Sequence, residues 1–212
     1  MKGLLLKDYY LIKSSVWMMV IIIIPLTLLQ LFLFKAVLLS VTPLLFAILF
    51  YLLANNTFSI DDSSKWNKIS ATFPVSPKIL VGEKYVLHLL SILFGTVLGI
   101  LTNYIGTIVK PDFQISSYFN HVVILGIIMP LLAGTINLPL CYLFGKNATL
   151  SPVFLILSYV PAAVIGFAIR NRITTSEPSS SILIMLAFLG GTILCYLVSC
   201  CITYRAFRKR DI

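Results

Sequence analysis

The sequence predicts an all-α membrane protein with six transmembrane helices. Of its 212 residues, 59% are hydrophobic and only 11% are charged, whereas an average soluble domain is about 45–50% apolar and about 25% charged. The mean hydropathy is +1.01, so there are too few polar side chains to cover a surface that faces water. This composition excludes a soluble globular enzyme, a disordered protein and a conventional nucleic-acid-binding protein.

The apolar segments divide into six spans of about 20 residues, the length that crosses a bilayer. They are approximately residues 16–39, 43–60, 85–109, 121–144, 151–169 and 181–204. A turn over residues 40–43 must separate the first two spans, and we expect Thr42 to be the N-cap of the second helix, with Pro43 at its first position. The spans leave room for only short loops, so we expect a single membrane domain over residues 1–212.

The basic residues predict the orientation of these spans. Twelve of the sixteen Lys and Arg residues fall on the side that contains both chain termini. The other side has Lys35, Lys110, Arg170 and Arg172. Because basic residues accumulate in cytoplasmic loops, both termini are expected to be cytoplasmic, and the net charge of +9 reports topology rather than nucleic-acid binding.

No catalytic or metal-binding motif is present in the sequence. The two histidines are His88 and His121; we expect His88 to face water or headgroups at the membrane interface, with a proton relay as the alternative. The four cysteines have no zinc or disulfide spacing and are expected to face lipid or to pack in the interior. The spans contain few ionisable groups, which disfavours an ion-coupled transporter, and no phosphate-binding loop is present. Energy for transport would therefore come from a separate subunit.

The polar stretch between the second and third spans favours a short helix. Asp61 or Asp62 can cap such a helix, and Trp66, Ile69 and Phe73 would form one apolar stripe on it. Two interpretations are open. The helix could lie on the lipid headgroups, or it could dock in a cleft of a cytosolic partner, with Trp66 as its anchor.

Several residues in this stretch resemble the motif of a known protein family. Residues 61–84 contain Trp66, then Phe73-Pro74-Val75-Ser76, and finally Glu83-Lys84-Tyr85. The stretch resembles the first cytoplasmic loop of small ABC-2 type permeases, in which a tryptophan precedes a Leu-Pro-Val-Ser-basic motif and a Lys-Tyr pair. Phe73 replaces the Leu here, and Pro77 stands where a basic residue is usual. Ser76-Pro77 is expected to begin the next helix. The N-terminal segment 1–8 and the basic tail over residues 205–212 also resemble this family.

The resemblance implies the transmembrane subunit of an ATP-driven ABC exporter in a bacterial plasma membrane. Two permease chains, identical or paralogous, would pair, and a separate ATPase subunit would bind ATP and Mg²⁺, so this chain itself would hold no cofactor. Residues 1–15 would form an interfacial elbow helix. The loop helix would be a coupling helix that contacts the ATPase through Trp66, Asn67, Lys68, Ile69 and Phe73.

The cargo implied by the resemblance is an amphipathic peptide, because small permeases of this type are similar to exporters of bacteriocins, lantibiotics and phenol-soluble modulins. A drug or lipid-like cargo, or a non-transporting membrane scaffold, is the alternative. The polar residues of an apolar path would be Gln30, Asn55, Asn56, Asn103 and Asn137. Each amide could instead form an interhelical hydrogen bond. The Gly95-x-x-x-Gly99 pattern favours a close helix crossing rather than a site.

Overall fold

The computed structural model describes residues 2–33, 41–66, 76–109, 119–144 and 178–208. These residues form five helices: α1 (Lys2–Leu33), α2 (Thr42–Ser63), α3 (Pro77–Val109), α4 (Phe119–Phe144) and α5 (Pro178–Arg208). Within the described ranges every regular element is α-helical, in agreement with the predicted fold class.

Four segments of these helices are long and apolar enough to cross a membrane. They are Thr42–Asp61, Pro77–Val109, Phe119–Leu143 and Ile182–Phe207. They correspond to the second, third, fourth and sixth predicted spans, and they support a multi-pass membrane protein. The fifth predicted span, residues 151–169, lies outside the described residues, and α1 is not among the four segments. A total of six spans therefore stays a prediction.

The described helices form two closely packed pairs. Helix α2 packs most extensively against α3, and α4 against α5. Contacts of α4 with α2 join the two pairs, and α1 lies against α2 and α3. The buried side chains between α2, α3, α4 and α5 are Ala47, Tyr51, Val81, Tyr85, Ile92, Leu131, Ala133, Leu138, Tyr196 and Phe207.

The Gly95-x-x-x-Gly99 pattern is a close crossing of α2 and α3, as predicted. A Cβ atom at Gly95 would lie 2.6 Å from the backbone oxygen of Phe46, and one at Gly99 would overlap the backbone of Pro43. Only hydrogen atoms at both positions let the two backbones approach this closely. Small residues serve this purpose at helix crossings in membranes.

Helix α2 begins one residue earlier than predicted. The amide of Leu45 donates to the backbone oxygen of Val41 at 3.2 Å, so Val41 precedes the helix and Thr42 is its first residue rather than its N-cap. The Thr42 hydroxyl instead donates to the backbone oxygen of Gly99 at 3.2 Å. Asn103 donates through Nδ2 to the same hydroxyl. The predicted cap is therefore an interhelical link between α2 and α3.

The prediction that Asp61 or Asp62 caps a following helix is wrong. Helix α2 continues to Ser63, so both aspartates lie in its last turn. The amide of Ser64 donates to the Ile60 oxygen at 3.0 Å, and Lys65 has a φ of 54°, the left-handed conformation that often ends a helix. An acidic residue in a last turn is unfavourable to the helix dipole, so Asp61 requires a cationic partner.

Helix α3 begins at Pro77, as the Ser76-Pro77 pair predicts. The backbone oxygen of Ser76 accepts from the amide of Ile79 at 2.9 Å. Glu83 and Lys84 are consequently on a helix and not in an exposed loop, and both are buried. Helix α1 runs without interruption from residue 2 to residue 33. The described structure therefore does not separate an elbow helix over residues 1–15 from the span that follows.

Candidate functional site

A buried cluster of charges joins three helices at the end of the bundle where α1 begins. Lys84 Nζ lies 2.6 Å from Asp8 Oδ2 and 2.6 Å from Asp61 Oδ2. Lys7 Nζ lies 2.7 Å from Asp61 Oδ1 and 3.0 Å from Asp8 Oδ1. Two ammonium groups and two carboxylates therefore alternate around a ring. We refer to these four residues with Glu83 as the charge cluster.

Each helix contributes to the charge cluster near its own end. Lys7 and Asp8 lie in the second turn of α1, Asp61 in the last turn of α2, and Lys84 in the second turn of α3. The two lysines provide the cations that offset the Asp61 carboxylate against the C-terminal dipole of α2. The ring thus ties the end of α2 to the start of α3, across the loop that connects them.

Asp8 stays ionised although it is fully enclosed. Burial alone would raise the pKa of its carboxyl group. A hydrogen bond from Glu83, the positive charge and hydrogen bond of Lys84, and the charge of Lys7 act in the opposite direction and hold that pKa below its ordinary value. The Asp8 side chain therefore carries the negative charge that the two lysines require.

Lys84 is surrounded by partners for its charge. Its ammonium group donates to Asp8 and, at 3.1 Å, to the Thr57 hydroxyl, and it is ion-paired with Asp61. Its Nζ also lies 5.2 Å from the centre of the Phe58 ring. These contacts make a buried ammonium group tolerable.

Trp66 connects the charge cluster to the segment that follows α2. Lys7 Nζ lies 4.3 Å from the centre of the Trp66 ring, a cation–π contact. Trp66 and Glu83 also line a cavity of about 20 Å³, together with Phe58, Asp61, Leu80, Lys84, Cys141, Tyr142 and Phe207. A volume of about 10–15 Å³ is enough for one water molecule. The cavity therefore has room for about one water beside the cluster.

A second polar network lies deeper, between α3 and α5. Tyr196 donates through its hydroxyl to the backbone oxygen of Tyr85 at 2.9 Å, so it accepts from Nδ1 of His88 at 2.8 Å. The Tyr85 hydroxyl lies 2.9 Å from Ser199 Oγ and 2.8 Å from Thr203 Oγ1. The expectation of an interfacial His88 is wrong, because the side chain is only 1% exposed. Tyr196 encloses it.

Replacing Tyr196 with phenylalanine tests this network. We expect a loss of about 1–2 kcal/mol in the free energy of unfolding, because the Nδ1 donor of His88 loses its acceptor and the Tyr85 carbonyl loses the hydrogen bond that it accepts from Tyr196 in addition to its helical one. Thermal unfolding in detergent micelles measures this. Tyr104→Phe is the matched control, since Tyr104 is exposed on α3. Equal unfolding temperatures for the two variants would contradict the network.

The structure describes only some of the predicted functional residues. Of those predicted to contact an ATPase, it describes Trp66, while Asn67, Lys68, Ile69 and Phe73 lie outside the described residues. The residues predicted to line a translocation path are described in part. Gln30 is within α1, but its side chain is not described. Asn55 is half-buried and Asn56 exposed on α2. Asn137 donates to the Tyr51 hydroxyl at 3.0 Å, which agrees with the alternative of an interhelical hydrogen bond.

The sequence interpretation missed the charge cluster itself. The sequence patterns indicate Lys7, Asp8, Glu83 and Lys84 as parts of segments that resemble the family, and the two lysines also as basic residues that predict topology. A signal was nevertheless present. The chain has only seven Asp and Glu residues, and two of these, Asp8 and Glu83, stand directly beside a lysine at the edge of an apolar run. Among the described residues, no group of His, Cys, Asp and Glu side chains could hold a metal ion.

Comparison with known proteins identifies one family. A family model described as "ABC-2 family transporter protein" matches residues 3–208. No curated protein and no solved structure matches the chain.

Proposed function

Since the chain belongs to the ABC-2 transporter family, we propose that it is the transmembrane subunit of an ATP-driven exporter. Membership in this family makes the chain a membrane transport component and implies an ATPase partner and a multimeric assembly. We place the charge cluster on the cytoplasmic side, in line with the distribution of Lys and Arg residues. Residues 67–75 would then face the ATPase.

The observation that carries this proposal is the position of the charge cluster, whose residues lie both before and after residues 67–75 in the chain. Asp61 and Lys84 are paired at 2.6 Å, and they lie just before and just after the loop. Trp66, at the start of the loop, contacts Lys7 of α1. A displacement of the loop by an ATPase would therefore reach the ends of α1, α2 and α3 together. We infer that Trp66 fixes the base of the coupling segment, while Ile69 and Phe73 dock in the ATPase.

The close crossing of α2 and α3 would carry this displacement into the membrane. The two helices meet backbone to backbone at Gly95 and Gly99, so they leave little room for independent sliding. Tightly packed elements move as rigid bodies rather than deforming continuously. The α2–α3 pair would move as a unit relative to α4 and α5.

We propose an amphipathic peptide as the cargo. The apolar side chains exposed on α3 and α5, such as Phe94 and Leu194, support this, as do the exposed Asn56 and half-buried Asn55 on α2. Vesicles that contain the chain and its ATPase should accumulate a fluorescent amphipathic helix when ATP is added. Uptake of a lipid-like dye without uptake of the peptide would contradict this cargo.

Trp66→Ala tests the coupling role. We expect the variant to insert and fold, and to lose about tenfold or more in ATPase association or stimulation, because the segment that contains Ile69 and Phe73 would lose its contact with α1; a tenfold loss corresponds to about 1.4 kcal/mol. Co-purification with the ATPase and the rate of ATP hydrolysis measure this.

Trp17→Ala is the matched control for that experiment. Trp17 is the other tryptophan of the chain, and it is exposed on α1. It should leave both readouts unchanged. If Trp66→Ala kept full stimulation and transport, the segment would instead lie on the lipid headgroups. Full transport by the purified chain without any ATPase would refute the exporter proposal itself.

A further inference from the structure

The charge cluster contains one more carboxyl group than it has ammonium groups. Asp8, Asp61 and Glu83 provide three carboxyls, while Lys7 and Lys84 provide two ammonium groups. Among the described residues, full ionisation of the cluster would leave one negative charge without a paired cation. Glu83 is 1% exposed and Asp8 is 0% exposed, so water could not screen that charge. An unpaired charge in such a place is costly, and the group neutralises instead.

Among the described residues, Glu83 is the carboxyl group of the cluster without an ion pair. Lys84 donates to Asp8 and to the Thr57 hydroxyl and is ion-paired with Asp61, so its contacts are with other groups than its neighbour in the chain. Glu83 Oε1 is buried and accepts no hydrogen bond from any described residue. Asp8 and Asp61, in contrast, each contact both lysines.

The ion pairs decide which of the three carboxyl groups takes the proton. Asp8 lies 2.6 Å from Lys84 Nζ and 3.0 Å from Lys7 Nζ, and Asp61 lies 2.6 Å and 2.7 Å from the same two atoms. Glu83 is buried, and it forms no ion pair with a described residue. Glu83 is therefore the carboxyl group for which the neutral, protonated form costs least.

The other titratable groups around Glu83 do not replace this proton. The titratable and charged groups that surround it are Lys7, Asp8, Asp61, Lys84, Cys141 and Tyr142. The Tyr142 hydroxyl of α4 donates to the backbone oxygen of Leu80 at 3.1 Å. Helix α5 contributes Phe207, which is apolar.

We propose that Glu83 is a proton-binding site and that its carboxyl proton makes the charge cluster electroneutral. The proton exchanges with a water molecule in the adjoining cavity of about 20 Å³. Release of the proton places an uncompensated negative charge where α1, α2 and α3 meet beside Trp66, and it loosens that junction. The inference concerns the cluster itself and does not depend on the proposed transport function.

Infrared spectroscopy of the purified full-length chain in detergent, near pH 7, tests the protonation directly. A protonated carboxyl group gives a carbonyl band apart from those of carboxylates, and with only seven Asp and Glu residues the band is interpretable. We expect this band in the wild-type protein, its loss in Glu83→Gln, and its retention in Glu177→Gln, which changes the other glutamate. No band in the wild-type protein, or a band that survives Glu83→Gln, would overturn the proposal.

The pH dependence of thermal unfolding is a second test. A carboxyl group that is protonated in the folded state and ionised in the unfolded state makes stability fall as the pH rises. We therefore expect the unfolding temperature of the wild-type protein to fall over the pH range above about 4.3, the ordinary pKa of a glutamate, and that of Glu83→Gln to fall less. Asp61→Asn removes a paired charge and should lower the unfolding temperature throughout this range.

These variants also distinguish a protonated Glu83 from an ionised Glu83. If Glu83 were ionised, Glu83→Gln would keep the same pH slope as the wild-type protein or destabilise as much as Asp61→Asn does. Either result would overturn the proposal. If Glu83→Gln did not fold, the infrared band of the wild-type protein would still decide the matter.

Discussion

Replacing Lys84 with methionine is expected to cost about 3–5 kcal/mol in the free energy of unfolding, because it leaves the Asp8 and Asp61 carboxylates with only Lys7 for a partner. Methionine preserves most of the side-chain length, so the loss reports the charge rather than a cavity. Lys84 is buried and touches both carboxylates at 2.6 Å. The recovery of monodisperse protein and its denaturant unfolding in micelles measure the effect.

Two further variants make this result specific. Lys78→Met alters an exposed lysine of the same helix and should change the free energy of unfolding by about 0.5 kcal/mol or less. The double variant Lys84→Met/Asp61→Asn removes one charge of each sign and should recover part of the loss, since coupled sites are not additive. A double variant as unstable as the sum of the two single variants would show that the ion pair is not coupled.

Gly99→Ala is expected to destabilise the α2–α3 pair by about 1–3 kcal/mol, toward the upper end of that range. The added methyl group would overlap the backbone of Pro43 and lie 2.9 Å from the Thr42 oxygen. These are backbone atoms, which cannot rotate away, so one helix must shift. Separation of the helices would also break the hydrogen bond from Thr42 to the Gly99 oxygen. Thermal unfolding in micelles measures the loss.

Gly191→Ala is the matched control for this variant. A methyl group at Gly191 would meet no atom within 4 Å, so the better helix propensity of alanine should leave stability unchanged or raise it by up to about 1 kcal/mol. Similar losses for Gly99→Ala and Gly191→Ala would contradict the close crossing as the cause, because the helix propensity of alanine does not produce a loss.

The helices of this protein are largely predictable because they depend on local composition. Runs of apolar residues locate α2, α4 and α5 within a few residues, since a segment in a bilayer must satisfy its own backbone, and the Ser76-Pro77 pair predicts the start of α3. Helix ends are less predictable. Thr42 has the right chemistry for a cap, yet its hydroxyl bonds across to Gly99. Asp61 likewise resembles the start of a new helix, but α2 runs past it because Lys7 and Lys84 neutralise its charge.

The charge cluster was not predictable from local patterns, because its members come from three distant parts of the chain. In sequence, Lys84 is a basic residue near the edge of a span, which the positive-inside rule already explains. Its ring with Asp8 and Asp61 depends on how α1, α2 and α3 converge. His88 shows the same limitation, since the Tyr196 hydroxyl that encloses it comes from α5.

The charge ring has a consequence for the order of biosynthesis. Its members enter the chain as Lys7 and Asp8, then Asp61, and finally Lys84. A nascent chain that has not yet reached Lys84 presents two aspartates to a single lysine, so its first two helices cannot complete their junction. The ring therefore reaches its full set of ion pairs only after the start of α3 has been synthesised, and a chain truncated before Lys84 would contain two of its carboxylates but only one of its ammonium groups.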